Sequence, residues 1–172
     1  MKQPDVFELL AAAGAFSEYP EPLMLYGQFV GSWDIEATWY DRAGGSKKGK
    51  GEWHFAWILG GRGIQDVLFS AGAPSDRFGT TLRCYDPAAN IWHVTWMQPY
   101  GGEFVHLTGR QVGDRIVNEV IDAGPDRRER WSFTEITPDS FLWLGEVSVD
   151  NGLTWFCEQE MRGTRRAAIE TA

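Results

Sequence analysis

The chain has 172 residues, 43 % of them hydrophobic, with nine Trp and ten Phe, and its 16 Lys+Arg against 24 Asp+Glu leave a net charge of −8. That length is one domain with a core of its own. The charge excludes nucleic acid and anionic membrane surfaces as partners, because both demand clustered Lys and Arg, and no basic run exceeds pairs such as Lys47-Lys48 and Arg165-Arg166. Two cysteines, Cys84 and Cys157, are too few for a disulfide framework and read as thiols in a reducing compartment. No apolar run reaches spanning length. The N-terminus carries a single cation, Lys2, and the acids Asp5 and Glu8 before and within its apolar part, so it does not read as a signal peptide. A cytoplasmic protein is expected.

In chain order, residues 1–26 read as a helical segment. Pro4 and Asp5 suit a helix start, and Val6, Leu9, Leu10 and Ala13 recur at helical spacing before Gly14 and Pro20. A short turn, EPLMLYGQF, leads into Gly31-Ser32-Trp33. Residues 27–166 then read as strand, turn, strand, and 167–172 as a tail. The turn signals are Gly44-Gly45, Gly60-Gly61, the 71–78 loop, Asp86 to Asn90, Pro99 to Gly102, Gly113-Asp114, Gly124 to Asp126, Pro138-Asp139 and Asn151-Gly152. These nine turns separate ten strands. All connections are short, so neighbours in sequence pair antiparallel. Closure removes the exposed edges, and a barrel wider than eight strands has room inside. The expectation is an all-β, single antiparallel up-and-down ten-stranded barrel with an N-terminal helix covering one end.

Turn lengths suggest which faces point inward. The Asp86–Asn90 turn pairs Tyr85 with Trp92, Arg83 with Val94 and Thr81 with Trp96, and the next turn adds Val105 and Leu107. The Asn151-Gly152 turn, read as a two-residue type I′ hairpin, pairs Ser148 with Trp155 and Glu146 with Cys157. Its more apolar face carries Leu142, Leu144 and Glu146, extends to Trp131 and Phe133, and leaves Trp143 outside. Trp53, Phe55 and Trp57 line strand two, with Gln65, Val67 and Phe69 beside them. The expected lumen is aromatic (Trp53, Trp57, Trp92, Trp96, Trp131, Trp155), with Gln65, Arg83, Tyr85, Glu119 and Glu146 as its polar groups. Buried Arg83 and Glu146 must pair with each other, with water or with a ligand. His54, His93 and His106 find no ligand set at metal spacing, so no metal is expected.

The stretch FVGSWDIEATWYD carries a further signal. A short helical turn, then Gly31-x-Trp33 entering the first strand, resembles the calycin group of lipocalins and fatty-acid-binding proteins. The resemblance implies that Trp33 plugs the barrel floor, with Arg165 or Arg162 packed over it. The stretches LGGRGIQDVLF, GTTLRCYDP and DNGLTWFCEQEMRGTRR also resemble a bacterial family of ten-stranded calycin-like barrels with no assigned function, over roughly residues 27 to 166. The longer Gly-rich extension that marks the haem-binding nitrobindins is missing, and no cofactor is expected. Three functions remain open. The first is binding of a small apolar or aromatic ligand, with or without a carboxylate, where the fork of Arg83 would hold the acid. The second is an isomerase, cyclase or lyase using Glu146, Tyr85 and Arg83, with burial raising the Glu146 pKa. The third is a homodimeric interaction module with a filled barrel, resting on an outward patch of Trp143, Val147 and Phe156.

Overall fold

The computed structural model describes residues 6, 10–70 and 78–167. The elements are β1 (Ala11–Ala12), α1 (Pro20–Gly27), β2 (Gly31–Tyr40), β3 (Ser46–Ile58), β4 (Gly63–Ser70), β5 (Phe78–Asp86), β6 (Ile91–Gln98), β7 (Glu103–Val112), β8 (Arg115–Val120), β9 (Arg128–Thr134), β10 (Ser140–Ser148) and β11 (Phe156–Arg165). Every strand from β2 to β11 pairs antiparallel with its neighbours in sequence, and β11 returns to β2. The ten strands therefore close a barrel with no free edge. The two residues of β1 add an outer rung on Trp57 and Ile58 of β3.

Of the expected helix over residues 5–13, residues 5 and 7–9 lie outside the described residues, Val6 and Leu10 are helical, and Ala11 and Ala12 are extended. The helix that covers the barrel is the next one. In α1, Pro20 and Pro22 open the first turn, where a missing N–H costs nothing. Leu23 and Tyr26, three residues apart on one face, are fully buried. They close the barrel together with Phe29, which stacks on Phe133 at 4.5 Å. Tyr26 packs edge-on against Trp92 at 4.8 Å.

Registers decide what the barrel contains. From β5 to β7 they are as expected: Arg83 lies opposite Val94, Thr81 opposite Trp96, and Trp96 opposite Val105. Elsewhere two slips occur. Trp57 pairs with Ile64, one residue earlier than expected, because four residues, 59–62, turn the chain. Ile64, Asp66 and Leu68 therefore face inward on β4, and Gln65, Val67 and Phe69 face out. On β10 the expected pairing of Glu146 with Cys157 is present, yet the faces are reversed. A bulge after Gly145 puts Glu158 out of register, so Gln159 pairs with Gly145. Glu135 takes a left-handed φ of 49° in the 135–139 loop, and Trp143 pairs with Phe133. Phe141 and Trp143 therefore point inward, whereas Leu142, Leu144 and Glu146 point out. Asn151 and Gly152 both have positive φ, as a type I′ turn requires, but pairing begins only at Val147–Phe156. Trp143 and Val147 are buried, which removes the outward apolar patch on which the dimer expectation rested.

Candidate functional site

At the closed end the plug is hydrogen-bonded. Trp33 is buried, and its indole N–H donates to the Phe29 carbonyl at 2.7 Å. Arg165, paired with Trp33 across the barrel seam, lays its guanidinium 4.1 Å from the Trp33 ring. The same guanidinium donates to three carbonyls, of Pro138 (2.6 Å), Val30 (2.9 Å) and Gln28 (2.6 Å). Gly31 runs beneath it with φ +126°, a conformation side chains rarely adopt. Arg162 instead meets Glu135 on the outer surface at 3.1 Å. Of the two arginines open at the start, Arg165 is thus the one over the plug.

Halfway up, polar groups cross the lumen. Asp66 and Arg83 form a buried ion pair, and Asp66 also accepts the Thr81 backbone N–H at 3.0 Å. Tyr26 donates to Asn118 at 2.6 Å, and Asn118 to the Trp131 carbonyl at 3.0 Å. Burial pushes the Tyr26 hydroxyl pKa far above its ordinary value, against the pull of Arg83 and Asn118, so it stays a neutral donor.

Above this layer lies a cavity of about 260 Å³, opening at the end away from α1. Four indoles line it: Trp53, Trp96, Trp131 and Trp143. They meet at steep angles, Trp96 to Trp131 at 84° and Trp53 to Trp143 at 76°. Gly79 and Gly145 leave no room for a Cβ, because the Trp96 and Trp143 rings lie directly over them. Glu103, Glu129, Glu146 and Glu158 stand at the opening. The Trp96 N–H donates to Glu103 at 3.1 Å and the Trp131 N–H to Glu129 at 3.3 Å. Three buried N–H groups have no partner among the described residues: Trp53 Nε1, Arg83 Nε and Arg115 Nε. The first two belong to residues that line the cavity.

The residues expected in the lumen divide accordingly. Arg83, Trp53, Trp96 and Trp131 line the cavity, and Trp57 and Trp92 lie in the packed core below it. Gln65 is outside, bonded to Thr80 at 3.0 Å. Glu119 is outside, paired with Arg110 at 2.7 Å. Trp155 covers the Arg130 guanidinium on the outer wall at 3.8 Å. Glu146 reaches the rim, but Arg130 (2.9 Å) and Arg115 (3.0 Å) hold its carboxylate. Burial would raise its pKa; the two arginines more than offset this and set it below the ordinary carboxyl value. This reverses the expected shift. Tyr85 donates to Asn90 at 2.9 Å and faces a separate hollow of about 650 Å³ beside α1. In that hollow Tyr85 and the Arg115 Nη2 have protein partners, whereas Arg115 Nε has none among the described residues. The structure thus does not bring Tyr85 and Glu146 together.

Sequence reasoning missed Asp66 and Trp143. Asp66 lies opposite Thr81, diagonal to Arg83 on the same inward face, and a buried guanidinium demands such a partner. Among the described residues no group of three or more His, Cys, Asp or Glu is placed to hold a metal ion. No described helix is long and apolar enough to cross a membrane.

No family model matches the sequence, and no curated protein does. Solved structures do. Rv2717c from M. tuberculosis superposes with a TM-score of 0.56 at 15 % identity, covering 85 % of this chain and 98 % of that one. The S-type phycobiliprotein lyase CPES from Guillardia theta superposes with a TM-score of 0.59 at 9 % identity, covering 85 % and 93 %. At such identities the likeness is one of fold, and by fold this chain is a calycin-like ten-stranded barrel.

Proposed function

We propose that the barrel binds a small, largely apolar or aromatic molecule in its upper half. The observation that carries this reading is the pair of unpartnered buried donors, Trp53 Nε1 and Arg83 Nε, on residues lining a cavity walled by four indoles, Leu68, Val94, Phe133 and Met161, with Thr81, Asn118 and Gln159 among them and carboxylates at the rim. A buried N–H left without an acceptor costs about 1–3 kcal/mol. An apolar wall with a few orienting polar groups is the usual make-up of a ligand pocket. The guest offers these donors an acceptor oxygen. Asp66 already neutralises Arg83, so that oxygen can belong to a carbonyl, hydroxyl or ether as well as to a carboxylate. A cavity of about 260 Å³ has room for a compact guest.

Native mass spectrometry of gently purified protein, beside its denatured mass, tests the reading. An added mass that leaves on denaturation, and is lost in Trp53→Phe, supports it. A clean mass, together with no binding of small aromatic alcohols in calorimetry, overturns it.

A further inference from the structure

The opening of the cavity has a charge that its depth lacks. Of the four rim carboxylates, Glu129 is paired with Arg127 at 3.0 Å and Glu146 with Arg130 and Arg115. Glu103 accepts the neutral Trp96 N–H, and Glu158 has no partner among the described residues. Four carboxylates and the three arginines on them leave the mouth a net charge of −1, with Glu103 and Glu158 the two that no described cation meets, and the Asp66–Arg83 pair below adds no net charge. Low-dielectric aromatic walls focus such a field into the cavity. Between rim and ion pair lie the four indoles at steep mutual angles. Two of them hold their N–H groups to carboxylates, and the nearby negative charge adds to the pull on a cation at the rings. Indole is the best aromatic partner for a cation, and cages of such rings take alkylated ammonium groups. The deep donors, on residues only 3 % (Trp53) and 4 % (Arg83) exposed, mark this as a built cavity and not merely a cluster of surface acids.

We infer that the guest carries a positively charged ammonium group, held among Trp96, Trp131 and Trp143 beneath Glu103 and Glu158, and an acceptor oxygen directed at Trp53 and Arg83. This rests on the binding reading above and adds the charge of the ligand to it. An anionic guest meets the rim carboxylates and is disfavoured.

The test is calorimetric titration of the full chain with choline and with 3,3-dimethylbutan-1-ol, its uncharged isostere with the same hydroxyl. Choline is expected to bind about tenfold more tightly, the scale of a desolvated cation–π contact. The double substitution Glu103→Gln with Glu158→Gln is expected to shrink that gap several-fold and leave the alcohol's affinity unchanged. Both positions are exposed, so the fold tolerates the change, and a thermal melt checks it. Equal affinity for the two probes, or tighter binding of the alcohol, overturns the cationic assignment and leaves the binding reading intact. A gap undiminished by the double substitution overturns the part given to the rim. Binding of neither probe overturns the inference together with the reading beneath it.

Discussion

Two indoles that lie opposite each other on β2 and β3, Trp33 and Trp53, are used in opposite ways. At the floor, the Trp33 N–H is bonded to the Phe29 carbonyl and its ring is covered by Arg165, whose guanidinium is itself held by three carbonyls. Across the strand pair, Trp53 is as deeply buried but its N–H is unpartnered, and towards the mouth Trp96 and Trp131 turn their N–H groups to rim carboxylates. A buried indole satisfied by its own chain holds the fold together. On the binding reading proposed above, one left unsatisfied holds a place for a guest, whose acceptor would recover its desolvation cost.

That contrast can be broken in order of effect. Trp33→Ala is expected to destabilise by about 3–5 kcal/mol, the range for large aromatic deletions in a core, measured by denaturant unfolding. Asp66→Asn leaves Arg83 buried without its counter-ion and is expected to cost about 3 kcal/mol or more. Replacing Asp66 and Arg83 together by apolar residues is expected to recover most of that loss in the same experiment. Arg165→Ala removes three carbonyl partners and the cover on Trp33, for about 1–3 kcal/mol, with no change in binding at the other end. Trp53→Phe sharpens the comparison most. Stability is expected to move by less than about 1.5 kcal/mol, since no protein hydrogen bond is lost, while affinity for 3,3-dimethylbutan-1-ol falls about fivefold. A large stability loss with unchanged affinity would make Trp53 a floor-type residue.

The smallest effect is expected at the mouth-side 149–155 loop. Hydrogen bonds from Ser148 and Thr154 lower the Asp150 pKa from 3.8 to about 2. A folded pKa below the unfolded one means that the contribution is whole above 3.8 and is lost as pH falls through about 2. Amide exchange across residues 150–154 should therefore speed up over that window, while amides around Trp33 stay protected.

Much of this was legible in advance, for identifiable reasons. The nine turn clusters separate the ten barrel strands, because Gly, Pro and Asn act locally on the backbone. Register from β5 to β7 was readable too, since the Asp86–Asn90 turn is short and no bulge interrupts the pairing. The β9–β11 region was not. The bulge at Glu158 and the left-handed Glu135 each shift parity, and a shift of one residue exchanges Trp143 for Glu146 at the lumen. On β4 both faces carry apolar residues, so alternation could not choose between Asp66 and Gln65.

What the sequence determined by itself is what short-range chemistry encodes: where strands stop, that neighbouring strands pair, that Gly31 and Trp33 open the first barrel strand, and that so much tryptophan must be enclosed. Which indoles plug, which line a cavity, and which carboxylate meets Arg83 were decided only when the sheet closed. Closure sets every register at once, and the partner of a buried charge lies on another strand, at a position no local pattern specifies.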